Sequence, residues 1–580
     1  MIDTGNLGHR TTASDQVAQW LCDREIAQIY TLPGGMIATL LDAVHRKGRT
    51  RIVTLHHEQA VAFAADGVGR YLGAPGVALV TAGPGATNTL TAVGSAYLDS
   101  VPALFLTGQV QSYLLRGRRA VRQYGFQECD IVAMAAPVTK AAWRPRTADE
   151  IPEMLDAAYE LATTGRPGPV LLELPADLQA QPVSRRARFD RSPAAAPVPF
   201  RDAEAVTELF DAFTAARRPL VLLGGGVHAA RAAAECRTLL RALGAPVAAS
   251  VTALDVLPGD DPLRLGMIGM YGNRWVNLAV DAADLVLVLG SKLDFGTLGA
   301  DVSGFTKRRT VFQVDCDPGE MDRLRDPHRI VADLREFLDV AGKLAAERDF
   351  PDRCDWLDRL AESRRRWPDD AELSGCRGIN PNIAIRELSA VSAPAAALVV
   401  DAGQHLWWAC QSARPADGQR FLPALGMGPC GWAFPAAIGI AVAAARPVVL
   451  IAGDGAFQFN IQELQTVVRY RLPIKIVILD NGCHGSVRQL QEQAFDGRYP
   501  STVIGYDAPD FARVATAYGI AARTADAPDE LADALRWLWR DPDAAALLRI
   551  RIAPELNVYP NVPFGAPLTV MESRRAEEDS

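Results

Sequence analysis

Short apolar runs punctuate the chain at Arg51–Leu55, Gly76–Thr81, Ala103–Thr107 and Val170–Leu174, with Ala-rich stretches of helical character between them. Runs without polar alternation are what strands covered on both faces look like, so the pattern predicts parallel sheets flanked by helices. A Pro/Ala/Arg-rich stretch, Pro182–Pro199, interrupts the rhythm and reads as a linker. The rhythm resumes at Pro219–Gly224, Leu285–Gly290 and Thr310–Asp315, passes through a charged helical region over 345–370, and returns at Ala397–Asp401, Val448–Ala452 and Ile474–Leu479. The simplest organisation is three doubly wound α/β domains, over residues 1–183, 200–345 and 378–565. The first and third are candidates for one shared fold without obvious sequence identity, and the charged end, 572–580, is expected to fray.

At 580 residues the chain exceeds what one core can serve, and 49% hydrophobic with 22% charged residues is a globular composition. The net charge of −8 argues against nonspecific nucleic-acid binding, so any phosphate recognition must be local. Met1–Ser14 has no basic segment leading into an apolar core, and nowhere do eighteen apolar residues run uninterrupted, which points away from a membrane and to the cytoplasm. The nine cysteines, Cys22 to Cys483, show no CxxC pair and read as buried thiols of a reducing compartment.

Gly453-Asp454-Gly455 follows one apolar run and Asp480-Asn481-Gly482 follows the next, with a helix-like segment, Asn460–Tyr470, between them. If the two runs pair as parallel strands, Asp454 and Asn481 emerge together at the carboxyl edge of the sheet, where α/β folds bind ligands. Two hard oxygens there suit Mg²⁺, which keeps few protein ligands and takes the rest from a bound phosphate. Gly455 and the amides after it would open a helix towards the anion. A GDG triplet alone is an ordinary turn, and a crossover without metal is the bland alternative. Glu58, where the Arg51–Leu55 strand meets the helix Ala60–Tyr71, is by itself no more than an acid at a helix N-terminus.

These two words, together with Leu32–Gly35, His56–Arg70, residues 81–110, Gly125–Glu128, Gly165–Pro175, Gly266–Asn273, Asp401–His405, residues 457–479 and Asn557–Leu568, resemble thiamin diphosphate (ThDP) enzymes. The similarity is greatest to the catalytic subunits of acetolactate (acetohydroxyacid) synthases. It implies a pyrimidine-binding domain, a central FAD/transhydrogenase-like domain and a diphosphate-binding domain, with ThDP, Mg²⁺ and FAD as cofactors. Asp454, Asn481 and the backbone carbonyl of Cys483 are then the metal ligands. Gln404 and His405 lie near the diphosphate, to which Gly455 and Ala456 donate amides, while Gly428 and Cys430 hold the aminopyrimidine; Cys430 is smaller than the family's Met, so either the wedge beneath the cofactor is looser or Met427 helps fill the gap. Glu58 falls on the catalytic carboxylate, which exchanges a proton with the aminopyrimidine and whose pKa a dry cleft would raise. Gly35 and Gly83 lie near the cofactor, and Phe126 and Gln127 beside the reacting centre, with Gln127 polarising a substrate oxygen. Gly224, Gly225, Met267, Gly269, Met270 and Asp315 fall where the family lines its FAD. A homodimer or homotetramer with its site at the subunit interface follows from the same resemblance.

The sequence departs from the family at three acceptor positions: Gly296 replaces an Arg, Ala176 a Lys and Leu490 a Trp. Asp480 also replaces the first Asn of the metal-binding pair. A desolvated carboxylate without its guanidinium is expensive to bury. The expected activity is therefore decarboxylation of pyruvate or a related 2-oxoacid and acyl transfer to a carbonyl acceptor. A bulkier acceptor, such as a keto sugar or other ketone, is the alternative. Lys292, Arg274 and Arg488 are candidate replacement cations that read more readily as solvated surface residues, and Cys430 reads equally as a core thiol. A FAD-using pyruvate oxidase-like enzyme and a non-catalytic relative are the remaining competitors.

Overall fold

The computed structural model describes residues 11–189, 199–300, 302 and 304–574. The first ten residues, half of the linker expected over 182–199 and most of the charged end lie outside them.

Three six-stranded sheets carry the fold. The first contains β1 (Gln28–Leu32), β2 (Arg51–Thr54), β3 (Gly76–Val80), β4 (Ala103–Gln109), β5 (Ala141–Trp143) and β6 (Pro169–Pro175), in the order β2-β1-β3-β4-β6-β5. The second contains β7 (Pro219–Leu223), β8 (Val247–Ala249), β9 (Arg264–Met267), β10 (Leu285–Leu289), β11 (Thr310–Asp315) and β12 (His328–Val331), ordered β12-β11-β10-β7-β8-β9. The third contains β13 (Ala397–Val400), β14 (Arg420–Pro423), β15 (Val448–Gly453), β16 (Ile474–Asp480), β17 (Ala521–Ala525) and β18 (Ala546–Arg551), ordered β14-β13-β15-β16-β18-β17. Every pairing is parallel. Counted within each sheet, the first and third have the same strand order, whereas the second has the dinucleotide-fold order, with its switch point between β7 and β10. All strand positions of β3, β4, β6, β7, β10, β15 and β16 are buried, which is why they read as unbroken apolar runs.

The chain forms two compact units. The first draws on Met1–Ala196, Gly426–Ala445 and Gln462–Tyr470 and holds the first sheet. Within it the helix Glu58–Leu72 crosses the helix Ala433–Ala444 at very short range: a Cβ on Gly67 would lie 2.7 Å from the Ala436 Cα, and one on Gly439 2.3 Å from the Ala64 carbonyl oxygen. The Tyr30 hydroxyl donates to the Gly439 carbonyl at 2.9 Å. The second unit holds the other two sheets around a continuous apolar core. Asp255, fully buried, ties its two halves together: it accepts from His228 Nε2 at 2.7 Å, Arg420 Nε at 2.7 Å and the Phe421 amide at 3.0 Å. Burial alone would raise this carboxyl, but the His228 and Arg420 charges hold it well below the usual carboxylate range.

Two expectations are narrowed. Within the charged region over 345–370 the helix spans only Cys354–Arg366, between Pro351 and Pro368, and the helix before it, Leu334–Ala345, ends where that region begins. The cysteines are all free, but Cys316, Cys354 and Cys430 are exposed, and only Cys22, Cys236, Cys410 and Cys483 are buried.

Candidate cofactor and active site

β15 and β16 pair in register from Val448↔Ile474 to Gly453↔Leu479, so Asp454 and Asn481 follow neighbouring strand ends at one edge. Asp454 begins the helix Asp454–Gln458 and is buried. Burial pushes its carboxyl up to about 6, and the Tyr506 hydroxyl donates to its Oδ2 at 2.7 Å. The Asn481 Nδ2 donates to Gln404 Oε1 at 3.0 Å, which orients the amide so that Oδ1 accepts the Cys483 amide at 3.3 Å. Gln404 Nε2 donates in turn to Gln489 Oε1 and to the Leu556 carbonyl, each at 3.1 Å. Gly485 must be glycine here: a Cβ would lie 2.0 Å from Gln404 Oε1 and 2.6 Å from Asn481 Nδ2.

Beside this pair, His405 is buried and its Nε2 has no hydrogen-bond partner. Burial drops its pKa to about 3, so the ring is neutral. A buried ring nitrogen left open beside Gly453 at the sheet edge fits a ligand's polar group rather than a closed core. Among the described residues no three His, Cys, Asp or Glu side chains converge as a metal site. A cation held at this edge would rest on one carboxylate, one amide oxygen and backbone carbonyl, completed by ligand oxygens, a donor set that suits Mg²⁺. Burial pushes the Cys483 thiol up to about 11. Asp480 is committed elsewhere, to Arg549 Nε at 2.5 Å and the Gly482 amide at 3.1 Å. Gly455 faces His484 and Tyr506, and Ala456 is buried behind it.

In the first unit, Glu58 opens its helix after the His57 cap and is partly exposed. Asn88 Nδ2 donates to its Oε2 at 2.9 Å, a contact no sequence signal foretold. A Cβ on Gly85 would lie 3.6 Å from the other carboxylate oxygen. Gly83 (φ 63°) and Gln127 (φ 67°) are both left-handed, and a Cβ on Gly83 would meet the Gln127 carbonyl at 2.8 Å. Glu58, Gly83 and Gln127 are thereby gathered on one side of the sheet edge, with Phe126 81% exposed next to them. Gly35 faces open space, whereas Gly34 is pressed against Thr81. Gly428 is left-handed, and Met427 lies over Gly94. Cys430 is exposed, which overturns its reading as a core thiol. A further cluster escaped sequence reasoning: His56 donates its amide to buried Glu463 at 2.9 Å, with Thr466 alongside.

In the second sheet, Gly224 and Gly225 follow β7 at the switch point, and Asp315 ends β11. The glycines are consumed by packing, since a Cβ on Gly224 would lie 2.1 Å from the Gly290 carbonyl and one on Gly269 2.5 Å from that of Gly296. Met267 is buried and Met270 packs against the core. Two proposed replacement cations are not solvated: Arg274 is held by Glu372 at 2.6 Å, and Arg488, 4% exposed, by Glu492 at 3.0 Å and by the Asn557 side chain. Lys292 is partly buried. Leu490 is half-exposed, Ala176 opens the short helix Ala176–Ala180, and Gly296 has room for a side chain.

A parallel-sheet fold with Asp454 and Asn481 at neighbouring strand ends and an oriented glutamate at the turn after another strand agrees with the class of thiamine pyrophosphate enzymes. Sequence models of that class match in chain order: its N-terminal TPP binding domain over residues 11–134, its central domain over 206–340 and its C-terminal TPP binding domain over 401–549. The chain is 34% identical to the acetolactate synthase isozyme 2 large subunit of Escherichia coli, over 95% of this chain and 98% of that one. It is 32% identical to the acetolactate synthase large subunit of Lactococcus lactis (96% and 95% covered) and 33% identical to acetolactate synthase 1, chloroplastic, of Zea mays (93% and 85%). The chain belongs to the acetolactate synthase large-subunit family and is a ThDP-dependent carboligase that forms carbon–carbon bonds.

Proposed function

We propose that the chain decarboxylates a small 2-oxoacid such as pyruvate and passes the remaining acyl unit to a carbonyl acceptor, using ThDP and Mg²⁺. The observation that carries this reading is the Asp454/Asn481 pair at one sheet edge beside the unpartnered Nε2 of buried His405. When bound, the cofactor supplies a carbanion nucleophile and a sink for the electrons released with CO₂. Asp454, Asn481 and the Cys483 carbonyl hold the metal. Gln404, His405, Gly455 and Ala456 receive the diphosphate, and Gly35, Gly83, Gly428 and Cys430 receive the pyrimidine. Glu58, oriented by Asn88, holds or releases a proton at the pyrimidine nitrogen. Gln127 donates to a substrate oxygen, and Phe126 keeps water out once the site is closed by a second subunit of a homodimer or homotetramer.

The three domains of this reading span 1–183, 200–345 and 378–565, and its compartment is the cytoplasm. No helix among the described residues is long and apolar enough to cross a membrane. FAD belongs to the reading through the crevice between β7 and β10, where dinucleotide folds take their ligands, although the glycines there are already explained by packing. A flavin spectrum of the purified protein, released on denaturation, tests it.

A neutral, bulkier acceptor is the second reading. It is favoured by the turn Asp294–Gly296, which carries Phe295 tilted against exposed Phe564, ring centroids 5.0 Å apart, and no cation of its own. Mass spectrometry of products with pyruvate alone, then with ketone and aldehyde acceptors, decides between them. No CO₂ release with ThDP, Mg²⁺ and any 2-oxoacid would overturn the carboligase reading.

A further inference from the structure

The loop after the helix Gly485–Ala494 returns to the metal edge and is clipped to the helix that it leaves. The His484 amide donates to the Thr502 carbonyl at 3.0 Å, the Thr502 hydroxyl to Gln491 Oε1, and Gln491 Nε2 to the Pro500 carbonyl at 3.1 Å. A tight turn, with the Ile504 amide on the Tyr499 carbonyl at 3.1 Å and the Tyr506 amide on that of Val503 at 3.2 Å, then aims Tyr506 back at the sheet. Its ring stands edge-on to His484, centroids 4.6 Å apart, and its hydroxyl meets Asp454 Oδ2 at 2.7 Å. Gly455 lies close beneath them, where a Cβ would be 2.9 Å from the His484 ring and 3.4 Å from the Tyr506 hydroxyl and would push the ring aside.

We propose that Tyr506 is a positioning residue of the metal site: its hydroxyl occupies one carboxylate oxygen of Asp454 and turns the other towards the cation. This rests on reading that edge as the Mg²⁺–ThDP site. A free carboxylate in the space beside a sheet edge can rotate or chelate with both oxygens. A phenol donor on one oxygen, itself fixed by the clipped loop and the His484 ring, leaves a single oxygen in a single direction. Octahedral Mg²⁺ needs that geometry, and donors behind a metal ligand typically govern affinity by about 10–100-fold.

The test is Tyr506→Phe, which keeps the ring and removes only the donor, followed by calorimetric titration of Mg²⁺ into full-length protein at fixed ThDP. The expected result is a Mg²⁺ dissociation constant about 10-fold weaker, and activity that keeps rising with Mg²⁺ where the parent protein is saturated. Thermal unfolding of the metal-free protein serves as the control for a purely structural effect and is expected to move less than the Mg²⁺-induced shift does. An unchanged or tighter Mg²⁺ constant overturns the proposal, the tighter one by showing that the phenol competes with the metal. If Tyr506→Phe does not fold, Thr502→Val releases the loop clip instead, with weakening in the same direction expected and an unchanged constant overturning the idea. A parent protein that takes up neither Mg²⁺ nor ThDP overturns both this inference and the reading of the site beneath it.

Discussion

Gly485→Ala separates the metal-edge network from general stability. At a helix N-terminus the substitution alone should stabilise by about 0.5–1 kcal/mol through lost unfolded-state freedom. Its Cβ, however, would sit 2.0 Å from Gln404 Oε1 and 2.6 Å from Asn481 Nδ2, so the Gln404 amide must move by more than an ångström to reach ordinary contact. Gln404 is not a loose surface chain: it is buried and spends its other hydrogen bonds on Gln489 and the Leu556 carbonyl. Breaking one such buried bond and stranding its partner is worth about 1–3 kcal/mol, which exceeds the backbone gain. The net expectation is a loss of about 1–2 kcal/mol in the ligand-free protein. The larger effect falls on the ligand, because Asn481 gives up its Gln404 anchor and its oxygen no longer points in one direction. With Mg²⁺ and ThDP at about 100 times the parent dissociation constant, ligand stabilisation should be about 2.7 kcal/mol in the parent. A tenfold weaker variant keeps about 1.4 kcal/mol of it in the same buffer, read by calorimetric unfolding with and without ligand. A variant whose ligand-induced shift equals the parent's would refute the link from Gly485 through Gln404 to the metal edge, whatever its own melting temperature.

Glu58→Gln should lower CO₂ release by about 10²–10⁴-fold, with ThDP binding retained in calorimetry, because only the proton exchange is removed. Asp255→Ala leaves His228, Arg420 and the Phe421 amide facing an empty buried site, and should cost about 3–5 kcal/mol in denaturant unfolding. Because its folded pKa lies below the unfolded value of about 3.9, Asp255 contributes stability above that pH and loses it as pH falls towards the folded value. Asp255→Asn should therefore flatten this part of the acid limb of stability against pH. Gly296→Arg meets no nearer obstacle than Asp294 Oδ1 at 3.4 Å, so it should fold, and it should lower the KM for a second 2-oxoacid while leaving that for a neutral ketone unimproved. An acceptor profile unchanged by this cation would refute the role given to the turn.

What the sequence made legible follows from burial. The ten strands anticipated from apolar runs all form, with ends shifted by one or two residues, because most lie inside a sheet with both faces covered. Four of the eight missed strands are of another kind. β17, Ala-Ala-Arg-Thr-Ala, and β12, with three of its four positions exposed, sit on sheet edges where nothing demands an apolar run. β1 and β14 mix Gln, Tyr, Thr or Arg into four or five residues, too short for a period to show. The Asp454/Asn481 edge was legible because parallel pairing fixes where successive strands end. Asn88 against Glu58, and Tyr506 against Asp454, were not, since each partner arrives on a turn whose path depends on tertiary hydrogen bonds.

The repeated topology shows how far such reasoning reaches. The first and third sheets share one strand order, so β3 and β15 occupy the same slot. After β3 the chain runs into Gly83, whose left-handed turn is closed against Gln127. After β15 it runs into Gly453 and the carboxylate of Asp454. Topology determines that both slots open at a carboxyl edge, and on the proposed reading the residue placed there would determine the chemistry: a bare turn with room for a ring in one sheet, a hard anion suited to a cation in the other. Exchanging strand sequences between the two sheets would preserve the fold's logic, whereas moving Asp454 by one position along its turn would not preserve the site. The fold is thus specified by distributed burial and tolerates much divergence, while function hangs on a few edge residues and on the loops that orient them.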